Sequence, residues 1–258
     1  MKNIKNIVKD LEDFLHTSVE KTGAKGVVVG LSGGLDSAVV ALLAHRVFKD
    51  NLHPIMLPTH YSSQSSVDDA MLLCKKFDLV CEKKDISEYL KLYEKQEEQT
   101  NRLRVGNFSS RLRMVMLYDL SAKYNSVVLG TSNKSELMLG YGTIYGDMAS
   151  AINPIANFYK SEVFELAKYL GVPDVIVNKP PSADWYESQS DEADLGFSYS
   201  AIDEVLSLMI DEKISSDELV ARGFDKSLIA MIEARVAKNS FKREMPKVAQ
   251  VAGRVSVW

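Results

Sequence analysis

The chain has 258 residues, of which 46% are hydrophobic, and its 31 basic and 35 acidic side chains give a net charge of −4. That length accommodates one large α/β domain or two small ones, and the acidic excess argues against a nucleic-acid or membrane-binding surface. No apolar run approaches the roughly 18 residues of a membrane-spanning helix, so we expect a cytoplasmic protein. Cys74 and Cys81 lack metal-binding spacing, which favours free thiols in a reducing compartment.

Helix and strand patterns alternate along the chain. Helices are predicted over residues 4–21, 38–47, 67–77 and 102–124, and strands over residues 27–29, 52–57, 79–86 and 127–129. Residues 58–66 are interpreted as a polar loop, 87–99 as a charged segment, and 180–196 as a long irregular stretch between later helices. Pro54 is placed at the start of its strand, because proline lacks the N–H that a central strand needs. The alternation predicts a three-layer α/β fold, in which an open parallel sheet carries helices on both faces.

The stretch between the first strand and its helix, residues 32–37, reads SGGLDS. A glycine turn from a strand into a helix is a common phosphate site, because free backbone N–H groups and the helix dipole meet there. The turn lacks the lysine of a Walker A loop and the glycine spacing of a Rossmann fingerprint. Asp36 would repel phosphates unless a cation lay between them, which predicts Mg²⁺. An ordinary turn with a capping serine would not need two glycines followed by Asp-Ser.

A second polar segment, residues 130–136, follows the last predicted strand. Ligands of open parallel sheets sit at the carboxyl ends of the strands, so this segment is expected to face the SGGLDS loop. The stretch over residues 180–196 reads PPSADWYESQSDEADLG, and a loop this long is uncommon unless it is functional or disordered. We expect residues 180–195 to close over bound substrates.

Four further segments carry a family resemblance: GTSNKSEL at residues 130–137, GYGTIYGD at 140–147, KPPSADW at 179–185 and FKREMP at 241–246. With SGGLDS they resemble the ammonia-dependent NAD⁺ synthetases of the PP-loop ATP pyrophosphatase superfamily over nearly the whole chain. The resemblance implies one domain spanning residues 1–258 with an adenine-nucleotide alpha-hydrolase-like fold. It implies that ATP adenylates the nicotinate carboxylate of deamido-NAD⁺, that ammonia displaces AMP, and that pyrophosphate is released.

The resemblance also implies roles for individual residues. ATP would be bound by Gly30, Leu31, Ser32, Gly33, Gly34, Leu35, Asp36, Ser37, Thr131, Lys160 and Ser182. The Mg²⁺ ligands would be Asp36 and Glu136, the deamido-NAD⁺ contacts Arg111 and Lys242, and the catalytic residues Asp36, Lys160 and Asp191. Asp191 or Glu192 would take a proton from ammonium, with Asp184 a weaker candidate. Taken singly, such charged residues would be interpreted as solvated surface groups.

Other interpretations predict different sequence features. A tRNA-modifying PP-loop enzyme should show a basic face and paired cysteines, and a non-catalytic nucleotide-binding module should lack Asp36 or Glu136. Neither cysteine lies in a glutaminase signature, so free ammonia is the expected nitrogen donor. The resemblance implies a homodimer that shares its substrate site, and we place the helical stretch 112–124 at the interface.

Overall fold

The computed structural model describes residues 3–97, 101–182 and 190–256. Its sheet contains four parallel strands: β1 (Gly26–Gly30), β2 (Leu52–Met56), β3 (Glu82–Lys83) and β4 (Ser126–Leu129). They lie in the order β3-β2-β1-β4. The chain runs outward from β1 to β3 and then returns to the other side of β1, so the direction of winding reverses between β1 and β4. In open parallel sheets, ligands bind at the carboxyl ends of the strands at such a reversal.

The described residues contain twelve α-helices, which connect the strands and then continue beyond the sheet. They are α1 (Ile4–Glu20), α2 (Leu35–Phe48), α3 (Gln64–Lys76), α4 (Ser87–Gln96), α5 (Arg102–Lys123), α6 (Lys134–Leu139), α7 (Lys160–Leu170), α8 (Asp174–Val177), α9 (Asp191–Leu195), α10 (Tyr199–Leu206), α11 (Ser216–Ala221) and α12 (Lys226–Lys238). A π-helical turn, Ser207–Asp211, extends α10, and a 3₁₀ turn, Ser240–Arg243, follows α12.

Both faces of the sheet are covered, as the sequence predicts. Successive side chains of a strand point to opposite faces. Val27 and Val29 therefore pack with α1, α2 and α7 in the larger core, whereas Val28 packs with Leu120 of α5 on the other face. Strand β1 is apolar throughout because neither face of the sheet meets water there.

A second hydrophobic cluster lies outside the sheet and is made of helices. It joins Leu139 of α6 to apolar residues of α9, α10, α11 and α12, and Ile202 and Ile232 are fully buried in it. Helix α7 contacts both α2 and α10, so it links this helical core to the sheet core. The described part of the chain contains no helix that is long and apolar enough to cross a membrane.

Several predicted element boundaries are wrong. The strand predicted over residues 79–86 shrinks to two residues, because the backbone is left-handed at Asp78 (φ 52°) and Val80 is 91% exposed. Helix α3 begins three residues earlier than predicted, because the hydroxyl group of Ser63 accepts the N–H of Ser66 and caps it. The segment 87–99 was not assigned a helix, yet most of it forms α4, which buries Leu90.

Pro54 lies in the middle of β2 rather than at its start, so that prediction was also wrong. The carbonyl group of Ile55 faces β1, where it accepts the N–H of Leu31, and the carbonyl group of Met56 faces the other way and accepts the N–H of Lys84. By this alternation the ring nitrogen of Pro54 faces the β3 side. Pairing with β3 begins only at Ile55, so Pro54 has no ladder partner to lose.

Candidate active site

The SGGLDS loop joins β1 to α2 and is held by its own serines. The hydroxyl group of Ser37 accepts the N–H of Ser32 at 3.2 Å and donates to the carbonyl of Gly34 at 3.0 Å. Helix α2 begins at Leu35, earlier than predicted, which places Asp36 in its first turn. The first N–H groups of a helix lack partners within it, so this turn offers donors to an anion.

Gly33 brings the loop against α3. Its φ is +82°, a conformation that favours glycine, and a Cβ atom there would lie 2.0 Å from the carbonyl oxygen of Ser66. Glycine is therefore required at this position, both by the backbone angle and by the close approach of α3.

Three of the predicted site residues meet at one ion cluster. The Nζ atom of Lys160, the first residue of α7, lies 2.5 Å from Oδ2 of Asp36 and 3.4 Å from Oε1 of Glu136. These residues come from the starts of α2, α6 and α7, so three helix N-termini converge at the carboxyl ends of β1 and β4. The side chain of Lys160 is only 4% exposed.

Asn133 completes this cluster and was not predicted. Its Nδ2 atom donates to Oδ1 of Asp36 at 2.9 Å, and its backbone N–H donates to Oε2 of Glu136 at 3.2 Å. Its Oδ1 atom accepts the N–H of Glu136, so Asn133 and Glu136 form a capping box on α6. The spacing of an asparagine three residues before a glutamate was the signal that could have identified it.

The electrostatics of the cluster favour a bound cation. Burial lowers the pKa of Lys160, but the attraction of Asp36 and Glu136 outweighs it and raises the pKa, so Lys160 stays protonated. Burial first, and then repulsion from Asp36, raise the pKa of Glu136, while Lys160 opposes that shift. Asp191 acts on both groups as a further negative charge. Three carboxylates therefore surround one ammonium group.

Asp191 begins α9 and is 5% exposed. The hydroxyl group of Tyr141 donates to Oδ1 of Asp191 at 3.1 Å and to Oδ2 of Asp194 at 2.9 Å. The structure thus brings Asp191 to the predicted site but in a helix, so the irregular stretch predicted over 180–196 is wrong at its end. Glu192 turns away and accepts the backbone N–H of Tyr199 at 2.7 Å. Asp184 lies outside the described residues.

A buried carboxylate on α10 fixes the start of α7. Oδ1 of Asp203 accepts the hydroxyl of Ser135 at 2.5 Å, and Oδ2 accepts the N–H of Ser161 at 2.8 Å. The same Ser135 hydroxyl accepts the N–H of Lys160 at 2.9 Å. Asp203 therefore ties together the residues adjacent to Glu136 and Lys160. Nothing in the sequence marked it, because its partners lie far away along the chain.

The carboxylate oxygens of Asp36 and Glu136 fit Mg²⁺, which prefers hard oxygen ligands. The described residues contain no group of three or more side chains arranged to hold a metal ion. Two carboxylates leave most of an octahedral shell to phosphate and water, which is the usual composition of a nucleotide-bound Mg²⁺ site. The ammonium group of Lys160 lies between the two carboxylates, so it acts as their counter-ion in this state.

A cavity of about 760 Å³ opens over the cluster. Most of the predicted ATP-binding and catalytic residues line it: Gly30, Leu31, Ser32, Gly34, Leu35, Asp36, Ser37, Thr131, Glu136, Lys160, Ser182 and Asp191. Its volume lies within the range of small-molecule and cofactor sites, roughly 300–1,000 Å³. The apolar walls come from β2 and α5, and the polar groups converge at the cluster.

The two predicted deamido-NAD⁺ contacts are placed differently. The Nζ atom of Lys242 reaches the cavity and donates to the carbonyls of Gly140 and Gly142, each at 2.8 Å. Arg111 is not among the residues that line the cavity, and its Nε atom donates to the carbonyl of Ile144 at 3.3 Å. Within this single chain, the structure does not bring Arg111 to the ion cluster.

Known proteins resemble this chain over most of its length. A family model described as NAD synthase matches residues 7–246. An NH3-dependent NAD⁺ synthetase from Wolinella succinogenes is 48% identical over 249 residues, which cover 96% of this chain and 97% of that protein. A solved NH3-dependent NAD synthetase from Campylobacter jejuni aligns with a TM-score of 0.83 and 42% identity, covering 96% of this chain and 99% of the other.

A second solved structure widens the range of substrates to consider. NMN synthetase from Francisella tularensis aligns with a TM-score of 0.85 and 30% identity, covering 96% of this chain and 99% of that one. The backbone alone therefore does not distinguish these two kinds of relative. Sequence identity is higher to the two NH3-dependent NAD⁺ synthetases named above, at 48% and 42%.

Proposed function

The chain belongs to the NAD synthase family, and we propose that it is a ligase that amidates deamido-NAD⁺ with ammonia at the expense of ATP. The observation that carries this proposal is the Asp36–Lys160–Glu136 cluster, which faces a nucleotide-sized cavity beside the SGGLDS loop. The whole-length identity of 48% to an NH3-dependent NAD⁺ synthetase supports the same substrate.

The reaction needs two steps, because an ionised carboxylate has no good leaving group and resists nucleophiles. A nicotinate carboxylate oxygen attacks the α-phosphorus of ATP, forming a new P–O bond while the bond to the bridging oxygen breaks and pyrophosphate leaves. Ammonia then attacks the activated carbonyl carbon. A C–N bond forms, the C–O bond to AMP breaks, and the nitrogen gives up a proton.

The described residues supply the groups that these steps require. The N-terminus of α2 and the SGGLDS backbone bind the phosphates that leave. The ammonium group of Lys160, freed from Asp36, neutralises charge that develops on the bridging oxygen. Asp191 accepts the proton of the incoming nitrogen, and its burial beside Tyr141 keeps water from competing.

Asp36 and Glu136 would hold Mg²⁺, which supplies charge neutralisation between the carboxylates and the phosphates of ATP. Thr131 and Ser182 add polar groups on opposite walls of the cavity. Lys242 and, from a second subunit, Arg111 would contact deamido-NAD⁺. Supporting this, Arg111 lies outside the cavity of its own chain but on the exposed side of α5.

The nitrogen donor is free ammonia, and glutamine does not serve this chain alone. Cys74 is buried, Cys81 is half-buried, and neither lines the cavity. A glutaminase needs an exposed, activated thiolate with acid and base groups beside it. Neither thiol has that setting.

Nicotinate mononucleotide is a second candidate substrate, favoured by the structural similarity to an NMN synthetase. The two substrates share the reacting carboxylate and differ by the adenylate half, so the same ion cluster serves either. The higher identity to NH3-dependent NAD⁺ synthetases favours the dinucleotide. Comparing kcat/KM for the two acids under identical conditions separates the candidates.

We further infer that residues 1–258 act as a single domain, that the protein is cytoplasmic, and that it is a homodimer. Contacts of α7 with both α2 and α10 support one cooperative unit. Exposed apolar side chains on α5, Val115 and Tyr118, support an interface there. A shared substrate site then follows from the position of Arg111 on the same helix.

The test of the proposed role of Asp36 is the substitution Asp36→Ala. Losing a carboxylate that faces both Lys160 and the phosphates should lower turnover by orders of magnitude while the fold persists. The control is Glu88→Ala, which removes an exposed acid from the first turn of α4 and should leave turnover unchanged. Turnover near wild type in Asp36→Ala would refute the assignment.

A further inference from the structure

Tyr199 has a buried hydroxyl group that the mechanism above does not use. The residue is the first of α10 and is only 3% exposed. Among the residues that the structure describes, its Oη atom is the one buried side-chain polar atom without a hydrogen-bond partner. An unpaired buried hydroxyl destabilises the folded protein, so its presence next to the site points to a ligand that pairs with it.

The side chain of Tyr199 lies beside the ion cluster. Burial first, and then the charges of Glu136, Asp191 and Asp36, raise the pKa of Tyr199 above its usual value. The ring lies beside Lys160, with Nζ 5.4 Å from the ring centroid. Tyr199 does not line the nucleotide cavity, so it approaches the cluster from the helical core, away from the SGGLDS loop.

The surroundings of this hydroxyl select a particular ligand chemistry. The neighbouring carboxylates can only accept hydrogen bonds, and the Lys160 ammonium already donates to Asp36 and Glu136. Asp191 adds a third negative charge beside the cluster, and the ring of Tyr199 already has one ammonium group, that of Lys160, near its face. A small cation with several N–H donors satisfies all of these groups, whereas Mg²⁺ gains little from a neutral phenol.

We propose that Tyr199, together with Asp191, forms the binding site for the ammonium ion that supplies the nitrogen. This inference rests on the proposed function and deepens it. In this arrangement the ion lies on the α10 side of the cluster, whereas the SGGLDS loop lies on the side of the nucleotide cavity. Because ammonium is the abundant form near neutral pH, a site that binds the cation concentrates the nitrogen source next to the proton acceptor.

The test separates nitrogen binding from adenylation. Tyr199→Phe removes one oxygen and keeps the ring, and it should raise KM for total ammonium at least about 10-fold, because a hydrogen bond to a charged ligand is lost. Deamido-NAD⁺-dependent exchange of pyrophosphate into ATP needs no nitrogen and should stay within about twofold of wild type. Tyr159→Phe is the control: its hydroxyl is in the same helical core but donates to Asp211 at 3.0 Å.

A competing cation provides the second measurement. Potassium chloride should compete with ammonium in the wild type, choline chloride at equal ionic strength should not, and the competition should weaken in Tyr199→Phe. An unchanged ammonium KM, or an equal loss of exchange and amidation, would overturn the inference and leave the proposed function standing. A wild-type protein without exchange would refute the proposed function itself. If Tyr199→Phe does not fold, Asp191→Asn should show the same selective rise in ammonium KM, and its absence would decide against the site.

Discussion

Lys160 is a buried ammonium group whose charge is balanced by two carboxylates. Its Nζ atom contacts Asp36 and Glu136 where Mg²⁺ is proposed to bind, so lysine and metal serve the same carboxylates in different states. Breaking a buried ion pair by removing one partner costs more than the pair contributes, since the remaining charge is left uncompensated. We therefore expect the cluster to exchange its ammonium group for the proposed Mg²⁺ rather than to remain without a cation.

The substitution Lys160→Met tests whether Mg²⁺ can replace the ammonium group as the counter-ion of Asp36 and Glu136. The variant should lose about 3–5 kcal/mol of unfolding free energy, because Asp36 and Glu136 face each other without a counter-ion. Added Mg²⁺ should then raise its Tm more than that of the wild type, since an ion that binds only the folded state stabilises it. Thermal unfolding with and without MgCl₂ measures this.

The matched control is Lys179→Met. Lys179 also lines the cavity, but it pairs with a single carboxylate, Asp69, at 2.8 Å. Mg²⁺ should not restore this variant. Equal Mg²⁺ effects on both variants would contradict a metal site at Asp36 and Glu136.

Gly33 supports a second prediction at the residue scale. Gly33→Ala should destabilise the protein by about 3 kcal/mol or more, because the new Cβ collides with the Ser66 carbonyl and the backbone is left-handed. Gly23→Ala is the control: its φ is also positive, at +76°, but nothing lies within 4 Å of the new atom. That variant should lose only about 1–2 kcal/mol, the cost of the backbone angle alone. Urea denaturation of both variants measures their unfolding free energies. Similar losses in the two would contradict the close contact between Gly33 and the Ser66 carbonyl.

At the scale of elements, three helices are held together by one carboxylate. Asp203 on α10 accepts hydrogen bonds from Ser135 on α6 and from Ser161 on α7. Glu136 and Lys160 are the immediate neighbours of those two serines. The helical core therefore positions the ion cluster that serves the sheet edge, which explains why the site lies at the junction of the two cores.

Asp203→Ala should lower the unfolding free energy by about 2–5 kcal/mol, because two buried donors lose their acceptor. Asp203→Asn should retain most of the stability, since its carbonyl can accept from Ser161 and its amide can donate to the Ser135 hydroxyl. Glu204→Ala, one residue along and exposed, should stay within about 0.5 kcal/mol of wild type. If Glu204→Ala loses as much unfolding free energy as Asp203→Ala, then any substitution in α10 destabilises the protein. That result would contradict a specific role of Asp203 in holding α6 and α7 together.

Elements with strong periodicity were predictable, and those defined by tertiary contacts were not. Helix α1 and strands β1 and β4 follow from apolar periodicity and β-branched runs. The third strand was predicted too long, because residues 79–81 are apolar but the backbone is left-handed at Asp78 and pairing is confined to Glu82–Lys83. Helix α9 was missed because it has only five residues, three of them acidic, and follows a polar stretch.

The site residues also fall into two groups, those that sequence motifs predict and those that depend on tertiary contacts. Asp36, Glu136, Lys160 and Asp191 follow from family motifs, and the structure places them together. Ser135 and Tyr199 could not be predicted, because their roles depend on partners that folding brings close. The hydroxyl of Ser135, for example, bonds a carboxylate 68 positions away. Sequence patterns report local order, whereas such pairs exist only after the helical core has docked on the sheet.

At the scale of the whole molecule, α5 has a core face and an exposed apolar face. Leu112 and Met116 pack toward the sheet, whereas Val115 is 55% and Tyr118 39% exposed, one turn apart. An apolar stripe that remains exposed on one chain is typical of a protein interface. We therefore expect the proposed interface over residues 112–124 to use only the outer face of this helix.

Val115→Glu should convert the proposed dimer to a monomer, because a charge would be buried at the interface. The control is Val80→Glu, which should not change the oligomeric state. Val80 is 91% exposed and lies just before β3, the edge strand of the sheet. Sedimentation equilibrium measures the mass of each. A wild-type protein that sediments only with the mass of one chain would contradict the dimer and the shared substrate site.

We propose that this chain couples ATP cleavage to amidation of deamido-NAD⁺ by ammonia. The decisive experiment incubates the purified protein with ATP, MgCl₂, deamido-NAD⁺ and ammonium chloride, and measures NAD⁺, AMP and pyrophosphate together, with each component omitted in turn. We expect equal amounts of the three products, formed only when every substrate is present, and none when ammonia-free glutamine replaces ammonium. AMP release that does not depend on deamido-NAD⁺, or amidation of nicotinate mononucleotide with deamido-NAD⁺ left unchanged, would contradict it.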